Sequence, residues 1–536
     1  MSKNILKNRL LTIESGSSPS FRGVGEALVF IFLFFSVCGF AQQQNLLLNR
    51  EFNLINNKAF NEFNSNTHTA FQPIIQSQIR ATDSLTWLSD SEKKYYLNYV
   101  NKSEGKPKRF FGWLNQSFFH QNFLVVDTGN FYLTIDPVVN LEFGEDTEDK
   151  SANKQRISTN TRGAMVKGNI GRKFYFQTAL FETQSFLPNY LDNFVNNTDV
   201  MPGQGRVKKF KKTGFDYAYS SAYISYSPSK HFNFQLGNDK HFIGDGYRSL
   251  LLSDVATNYP YLKATVLFAK DKLQFTKLHA DLTNLERRPK GSVPESLFKR
   301  KSMSVHYLNW LATKWLNIGL FESTVWQTED STGTLPFQLL QLNPVPFVNT
   351  LSTGFNNKNH SLVGINTKIK LPFKTVLYNQ VVYDGNVDDN QVGLQAGLTF
   401  YAIKNLTLQG EINTVAPATY TLKENNYQGY NHYNQPLAHP MENNFNEIVG
   451  IINYKYKRYF TQIKVNMADY VYAPTFEDAQ LTVLQAHLGF LINPKNNLSF
   501  LIGVTNRTEK TESFTSKTNY VYFSIQTSLR NLYTDF

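Results

Sequence analysis

Hydrophobic and polar residues alternate along most of this chain from about residue 131 onward. In the first stretch, the apolar positions are Phe131, Leu133, Ile135, Val139, Leu141 and Phe143. Polar residues stand between most of them, and the same alternation returns around residues 394–400 and 521–529. Side chains two residues apart lie on the same face of a strand. The pattern therefore predicts strands with one apolar and one polar face, not helices.

About 18 such strands can be placed, and the connections between them alternate between short and long. The strands are predicted to begin near residues 131, 161, 173, 217, 231, 262, 272, 302, 315, 359, 375, 391, 405, 446, 458, 480, 498 and 518. Short connections rich in turn residues fall at 171–173, 227–230, 270–272, 372–374, 403–405 and 493–496. This regularity predicts an all-β fold, a transmembrane antiparallel β-barrel of the bacterial outer membrane, with tight turns in the periplasm and long loops outside.

Composition agrees with a barrel better than with a helical membrane protein. Aromatic residues make up 15% of the chain, with 29 Tyr and 44 Phe, while hydrophobic residues total only 41%. The mean hydropathy is −0.36. After the N-terminus no apolar run approaches the roughly 20 residues that a membrane-spanning helix needs. A closed sheet is the other structure that satisfies every backbone group in lipid, because it leaves no edge.

The N-terminus predicts export. Basic residues at Lys3, Lys7, Arg9 and Arg22 precede an apolar core at residues 27–37, and small residues near position 41 suit cleavage before Gln42. Residues 1–41 are therefore predicted to be a signal peptide, the alternative being an uncleaved anchor helix. The single cysteine, Cys38, falls within it, so the mature chain is expected to lack disulfides.

Between the signal peptide and the barrel, residues 42–125 are predicted to form a partly helical periplasmic segment. Short helices are expected near residues 46–55 and 92–100, and the segment is expected to pack under or into the barrel mouth. The alternative is a disordered leader. The barrel is assigned to residues 126–536, and a last strand ending on the aromatic Phe536 is similar to the signature that outer-membrane assembly machinery recognises.

Two dense basic runs fall in predicted outer loops, in a chain of net charge +12. They comprise Arg206, Lys208, Lys209, Lys211 and Lys212 in the first loop, and Arg287, Arg288, Lys290, Lys299, Arg300 and Lys301 in the second. Cationic groups on the outer face could contact lipopolysaccharide phosphates or an acidic glycan through charge-assisted hydrogen bonds. A solvated charge run is the alternative. Nucleic acid is a poor partner for an exported protein.

A tyrosine-rich loop at residues 415–445 is the second candidate binding feature. Its aromatic residues are Tyr420, Tyr427, Tyr430, His432 and Tyr433, set among Asn and Gln. Aromatic faces can stack on sugar rings while amides bond to the hydroxyls, which predicts polysaccharide contact. The alternatives are that these rings pack the loop or lie at the membrane interface.

No motif in the sequence indicates catalysis. Neither a zinc-binding HExxH pattern nor a GxSxG nucleophile turn occurs, and the ten histidines are scattered. Asp245 and Arg248 are expected to form a structural ion pair. We therefore expect a non-catalytic protein without metal or cofactor. The rival interpretations are a porin-like diffusion channel and an outer-membrane hydrolase.

One segment has a more specific sequence than the loop of a β-barrel needs. Residues 237–251 resemble the signature loop of Wzi-like capsule-assembly barrels, and more narrowly that of the branch containing the gliding-motility protein RemB. The residues that carry the likeness are Gly244, Asp245, Gly246, Tyr247, Arg248 and Ser249. Segments at 202–203, 215–217, 342–347 and 439–445 also fit, so the likeness extends from about residue 109 to the C-terminus.

The resemblance implies both a fold and a function. It implies an 18-stranded barrel whose outer mouth is partly closed by loops. It also implies non-catalytic handling of surface polysaccharide and, in the gliding branch, a role in cell-surface motility. Outer-membrane lipid, lipopolysaccharide, surface polysaccharide and motility or secretion machinery are the partners that follow.

Overall fold

A computed structural model describes residues 44–63, 65–75, 110–150, 156–287, 298–329, 333–353, 359–385, 391–422, 428–472 and 475–536. The predicted signal peptide and the helix predicted near residues 92–100 lie outside the described residues. The described helices are α1 Arg50–Phe60, α2 Phe110–Phe119, α3 Asn189–Thr198 and α4 Val348–Thr353, with a 3-10 turn at Leu339–Leu342. No helix in this part of the chain is long and apolar enough to cross a membrane.

Eighteen antiparallel strands form a closed barrel, which confirms the predicted fold. In chain order they are β1 Phe131–Asp146, β2 Ile157–Ile170, β3 Phe174–Phe186, β4 Gly214–Ser229, β5 Phe232–Asp239, β6 Tyr259–Phe268, β7 Leu273–Arg287, β8 Phe298–Leu311, β9 Leu316–Gln327, β10 His360–Leu371, β11 Thr375–Asp384, β12 Gln391–Phe400, β13 Leu406–Val415, β14 Phe445–Tyr456, β15 Tyr459–Tyr472, β16 Glu477–Asn493, β17 Leu498–Lys510 and β18 Thr515–Thr527. Each predicted strand start lies within about four residues of the observed one, the furthest being 161 against Ile157 and 302 against Phe298.

The barrel closes where β18 pairs with β1, with Tyr520 opposite Asp146 and Gln526 opposite Asn140. Because β18 ends at Thr527, the short strand Leu124–Asp127 takes its place beside the periplasmic part of β1. A second short strand, Lys208–Phe210, pairs with the outer end of β4. Pairing with β18 thus closes the barrel along the outer half of β1, as a sheet in lipid requires.

Alternation along the strands sorts side chains between the lumen and the lipid. In β14, Glu447, Val449 and Ile451 point inward and are buried, whereas Ile448 and Ile452 point outward and are exposed. Exposed leucine and isoleucine on an outer wall match the apolar belt of an outer-membrane barrel. The six predicted tight turns all join neighbouring strands at one end, and several hold left-handed residues such as Lys270, Phe373 and Asn405.

Among the described residues, three segments fill the lumen. The β5–β6 connection, residues 240–258, folds inward, although the length of the loop predicted an external position. The N-terminal segment lies beside it, since Phe71–Gln72 pairs with Phe242–Ile243. The prediction that the chain ends in a barrel strand is wrong: residues 528–536 leave the wall and turn into the lumen, where Asn49 Nδ2 donates to the carbonyl of Arg530. We call residues 240–258 the inward loop and residues 528–536 the C-terminal tail.

Candidate functional site

The inward loop places residues 244–249, which carry the family resemblance in the sequence, at the centre of the barrel. Gly244 has φ +148°, and a Cβ there would lie 2.5 Å from Nε2 of Gln380. A Cβ on Gly246 would lie 2.5 Å from a carboxylate oxygen of Glu411. Glu411 needs this approach because it accepts hydrogen bonds from the backbone N–H groups of Tyr247 (2.7 Å) and Arg248 (2.9 Å). Glycine is therefore required where the loop backbone passes closest to the wall.

Asp245 and Arg248 do not pair with each other, so the predicted ion pair is wrong. Asp245 lies 2.7 Å from Nζ of Lys368 on β10. Arg248 has a fully buried side chain, which lies 2.7 Å from Glu447 on β14 and 3.2 Å from Asp535 in the C-terminal tail. The two side chains point toward different strands of the wall, β10 and β14, and each strand supplies its own counter-charge.

Buried ion pairs hold the C-terminal tail in the lumen. The Asp535 carboxylate lies 2.7 Å from Nζ of Lys464 and accepts a hydrogen bond from the Tyr247 hydroxyl at 2.7 Å. Burial alone would raise the pKa of Asp535, but the positive charges of Arg248 and Lys464 outweigh it and hold that pKa below its usual range. The tail is therefore bound as an anion.

The N-terminal segment joins the same cluster through Arg50 of α1. Its guanidinium donates to the carbonyl of Tyr247 at 2.6 Å and to the hydroxyl of Tyr533 in the tail. Tyr533 in turn donates to Asp254 of the inward loop at 2.6 Å. The inward loop, the C-terminal tail and the N-terminal segment thus interlock through buried, paired charges. No group of His, Cys, Asp or Glu able to hold a metal ion occurs among the described residues.

A cavity of about 430 Å³ remains between α1 and the lumen wall. Amide and hydroxyl side chains dominate its lining, among them Asn53, Asn57, Gln409, Gln462 and Tyr522. Residues of the C-terminal tail line the same cavity, so the tail is one of its walls.

The tyrosine-rich loop covers the inward loop from outside. Tyr420 and Tyr430 are buried with their rings 5.9 Å apart, and their hydroxyls donate to the carbonyls of Leu250 (2.7 Å) and Leu251 (2.8 Å). His432 is also buried and accepts from the backbone N–H of Thr283. Burial contradicts the prediction that these three faces are open to a sugar. Tyr427 lies outside the described residues.

Tyr433 remains at the surface, at the tip of a small hairpin formed by Asn431–His432 and Gln435–Pro436. Tyr433 and Asn434 both have positive φ, 51° and 52°, as a two-residue hairpin turn of type I′ requires. The hairpin contacts the β3–β4 loop through the Asn434 amide, which donates to the carbonyl of Thr198 at 3.3 Å. We call Tyr433 and Asn434 the hairpin tip.

The first basic run is exposed, as expected. All five cations, Arg206, Lys208, Lys209, Lys211 and Lys212, lie at the surface of the β3–β4 loop. Of the second run, Arg287 and Arg300 are exposed and Lys299 is half-buried, whereas Arg288 and Lys290 lie outside the described residues. The outward prediction is wrong for Lys301, which is buried because its ammonium points inward and donates to the carbonyl of Gly429 and to Oδ1 of Asn431. The guanidinium groups of Arg206 and Arg287 lie over one aromatic ring, that of Phe298, at 4.8 and 5.4 Å from its centroid. We call Phe298 with Arg287 and the five cations of the first run the basic rim.

Sequence reasoning missed the counter-charges of the central cluster. Lys368, Glu447 and Lys464 are charged residues at inward positions of predicted strands. The alternation along the strands already placed these three charges inward. An inward charge in a filled lumen needs a partner from another segment, so their pairing could have been predicted. Asp254 and Asp535 carried no comparable signal, because the lumenal position of the inward loop and tail was not predicted.

Comparison with known proteins gives structural matches only. No protein-family model matches the sequence, and no curated protein matches it either. Among solved structures, the fold is similar to Wzi, an outer membrane protein involved in group 1 capsule assembly in Escherichia coli and described as a carbohydrate-binding β-barrel. The identity is 11% and the TM-score 0.54, and the match covers 91% of this chain and 100% of Wzi.

Two further matches cover less of the chain. OccAB2 of Acinetobacter baumannii is 12% identical over 73% of this chain and 96% of its own, with a TM-score of 0.43. The outer membrane protein OpdK of Pseudomonas aeruginosa is 8% identical over 73% and 97%, with a TM-score of 0.43. At 11% identity the likeness to Wzi shows the fold alone. The closed 18-stranded barrel with its apolar outer wall makes this chain a β-barrel of the bacterial outer membrane.

Proposed function

We propose that this barrel binds surface polysaccharide, without cleaving it, at the basic rim and the hairpin tip. The observation that carries the proposal is the meeting of two basic segments distant in sequence, where Arg206 and Arg287 stack on Phe298. The carbohydrate binding described for Wzi, whose fold is similar along its whole length, supports the same function. The sequence resemblance of residues 244–249 to Wzi-like barrels agrees with it.

The chemistry of the rim favours an anionic ligand. The guanidinium groups of Arg206 and Arg287 can bind carboxylate or phosphate through paired hydrogen bonds, and four lysines of the β3–β4 loop add ammonium charges near Arg206 in the sequence. The half-exposed ring of Tyr433 offers an aromatic face beside the Asn434 amide. An acidic glycan could therefore use charge at the rim and stacking at the tip. Lipopolysaccharide phosphates are the second ligand with this chemistry.

The rival functions have separate tests. A diffusion channel needs an open lumen, but the inward loop, the C-terminal tail and α1 occupy this one. Steady conductance of the purified protein in planar bilayers would refute a plugged lumen and favour the channel. The hydrolase alternative would gain support if lipid or glycan substrates turned over and a single Ser or Asp substitution abolished that turnover.

Charge neutralisation at the rim tests the proposal directly. The test variant replaces Arg206, Lys208, Lys209, Lys211 and Lys212 with Gln. The control replaces the same number of exposed cations in periplasmic turns, namely Lys173, Lys270, Lys272, Lys374 and Lys404. Binding of polygalacturonate to the full-length protein in detergent should fall by about tenfold or more only in the test variant. Equal losses would show that net charge alone attracts the polymer.

Motility is the finer part of the proposal and rests on the resemblance to the gliding branch. A deletion strain should be scored for both polysaccharide retention and surface spreading, then complemented with the wild type or the rim variant. Loss of spreading that the rim variant restores would separate motility from glycan binding. Unchanged spreading would remove the motility assignment.

A further inference from the structure

The β9–β10 connection lies against the outside of the barrel. Its chain reverses beyond Glu329, which bridges to Thr334, and residues 333–353 then run back along the wall. We call residues 333–353 the outer-wall segment. It includes the 3-10 turn and α4, and it covers the outward faces of β8 and β9.

The wall beneath this segment is inverted relative to the rest of the barrel. On β8, Met303, Val305 and Tyr307 point inward and pack against the inward loop. Ser302, Ser304 and His306 alternate with them and therefore point outward. On β9, Glu322 points outward directly opposite His306. These outward polar side chains are nevertheless buried, because the outer-wall segment covers them.

The covered side chains satisfy the backbone of the outer-wall segment. Ser304 donates to the carbonyl of Gln341 at 2.6 Å, and His306 Nε2 lies 2.8 Å from the carbonyl of Asn343. Glu322 accepts from the backbone N–H groups of Phe347 (2.7 Å) and Thr350 (2.8 Å). Irregular backbone at membrane depth is tolerated only when protein satisfies its polar groups, and this wall does so.

The opposite face of the segment is apolar, and no described residue covers it. Leu339 and Leu351 are 83% and 82% exposed, and Phe337, Leu342 and Val345 are also exposed. His306 and Glu322 lie about six residues above the periplasmic ends of their strands, roughly 15 Å along the axis of a tilted barrel. At comparable positions β6 and β12 expose Leu262 and Leu394 to lipid. The segment therefore lies at the depth of the apolar belt.

We propose that the outer-wall segment is embedded in the outer leaflet, where its apolar face binds the acyl chains of an anionic glycolipid. The head group has a partner directly above. Arg300 on β8 is exposed one outward position beyond Ser302, and Arg287 lies opposite Phe298 at the same edge. An amphipathic lipid with phosphorylated sugars, as in lipid A, fits an apolar face below two guanidinium groups. The glycolipid site shares Arg287 with the basic rim, whereas Arg300 and the apolar face belong to the glycolipid site alone.

Spin labelling in lipid nanodiscs tests where the segment lies. Labels are placed at Leu339→Cys and Leu351→Cys in a Cys38→Ser background. The membrane reference is Leu488→Cys, an exposed outward position on β16, and the aqueous reference is Asn434→Cys at the hairpin tip. Collision with oxygen should match the membrane reference, and collision with a water-soluble nickel chelate should be low.

Two results would overturn the embedding. Chelate access equal to that of Asn434→Cys would place the segment in water. Low access to both collision partners, with broadening between labels on different molecules, would mean that a second copy of the chain covers the face.

The head-group partner is tested with lipid A. Retention of lipid A by the full-length protein, measured by native mass spectrometry, should fall roughly tenfold in Arg287→Gln/Arg300→Gln. It should stay unchanged in the control Lys374→Gln/Lys404→Gln. Equal retention in all three proteins would refute the glycolipid assignment even if polygalacturonate binding at the rim were intact.

Discussion

Replacement of Asp535 by asparagine should release the C-terminal tail from the lumen without opening the barrel wall. The carboxylate is fully buried and lies between Arg248 at 3.2 Å and Lys464 at 2.7 Å. The amide keeps the size of the side chain but removes its charge, so Lys464 loses its ionised partner. Breaking a buried ion pair by removing one partner costs about 3–5 kcal/mol. Because the wall is held by its own strand pairing, the cost should appear as more frequent opening of the tail.

Thiol labelling measures that opening. Thr534→Cys in a Cys38→Ser background places a half-buried probe beside Asp535, and its alkylation rate reports how often the tail is released. At 1.36 kcal/mol per tenfold change, the expected increase lies between roughly 100-fold and several thousand-fold. The control is Glu286→Gln, which breaks an exposed pair with Lys299 worth at most about 1 kcal/mol and should leave the rate unchanged.

The pH dependence of tail labelling tests the same interaction, because the direction of the change follows from the shift in the pKa of Asp535. The pKa of Asp535 is lowered in the folded state, so its stabilising contribution is present above about pH 4, the ordinary carboxyl value, and is lost only as pH falls through the lowered pKa. The labelling rate of the wild-type tail, divided by the rate of the same thiol in the unfolded chain at each pH because only the thiolate reacts, should therefore rise only in acid. Asp535→Asn should lack that part of the rise. An alkylation rate within tenfold of wild type at neutral pH would show that charge does not hold the tail.

Three further predictions follow from single contacts. Gly397→Ala should lower the free energy of unfolding by about 1–3 kcal/mol, because its Cβ would meet the Tyr378 ring at 2.2 Å, whereas Gly410→Ala, with nothing within 4 Å, should be near neutral in the same urea titration. Burial lowers the pKa of His432 to about 3, so only the unfolded state binds the proton below about pH 6.5. Stability should thus fall by about 2 kcal/mol by pH 5, a loss that His432→Gln should remove. Tyr430→Phe should cost about 1–3 kcal/mol by leaving its carbonyl acceptor unpaired, yet leave polygalacturonate binding unchanged; weaker binding would reinstate that ring as a glycan contact.

The strands and turns were predictable because their signal is local. Alternation needs only neighbouring residues, and a tight turn is visible in a few residues, so strand starts such as Thr375 and Gln391 were predicted at the observed positions. The exposure of the first basic run was predictable for the same reason, since five cations in one loop have no local partner.

The interior arrangement could not be predicted in this way. By composition the inward loop is indistinguishable from an external loop, because it contains Lys240, Asp245, Arg248 and Asp254. What draws it inward is charge on strands more than a hundred residues away, such as Glu447. Long-range complementarity of this kind leaves no trace in local periodicity. The tail was misassigned similarly, because its anchor is the same distant cluster.

The wall under the outer-wall segment depends both on local alternation and on long-range contacts. Alternation on β8 fits either facing, since apolar Met303, Val305 and Tyr307 could equally well face lipid. The inward loop decides between them: its residues 250–252 are apolar and buried, and they need an apolar wall inside the lumen. Facing the apolar side inward leaves His306 and Glu322 on the lipid side, where uncovered polar groups are costly. The outer-wall segment removes that cost by bonding to them and presenting its own apolar face to lipid. A loop that folds into the barrel and a loop that folds onto its outside are therefore two halves of one arrangement, and each requires the other.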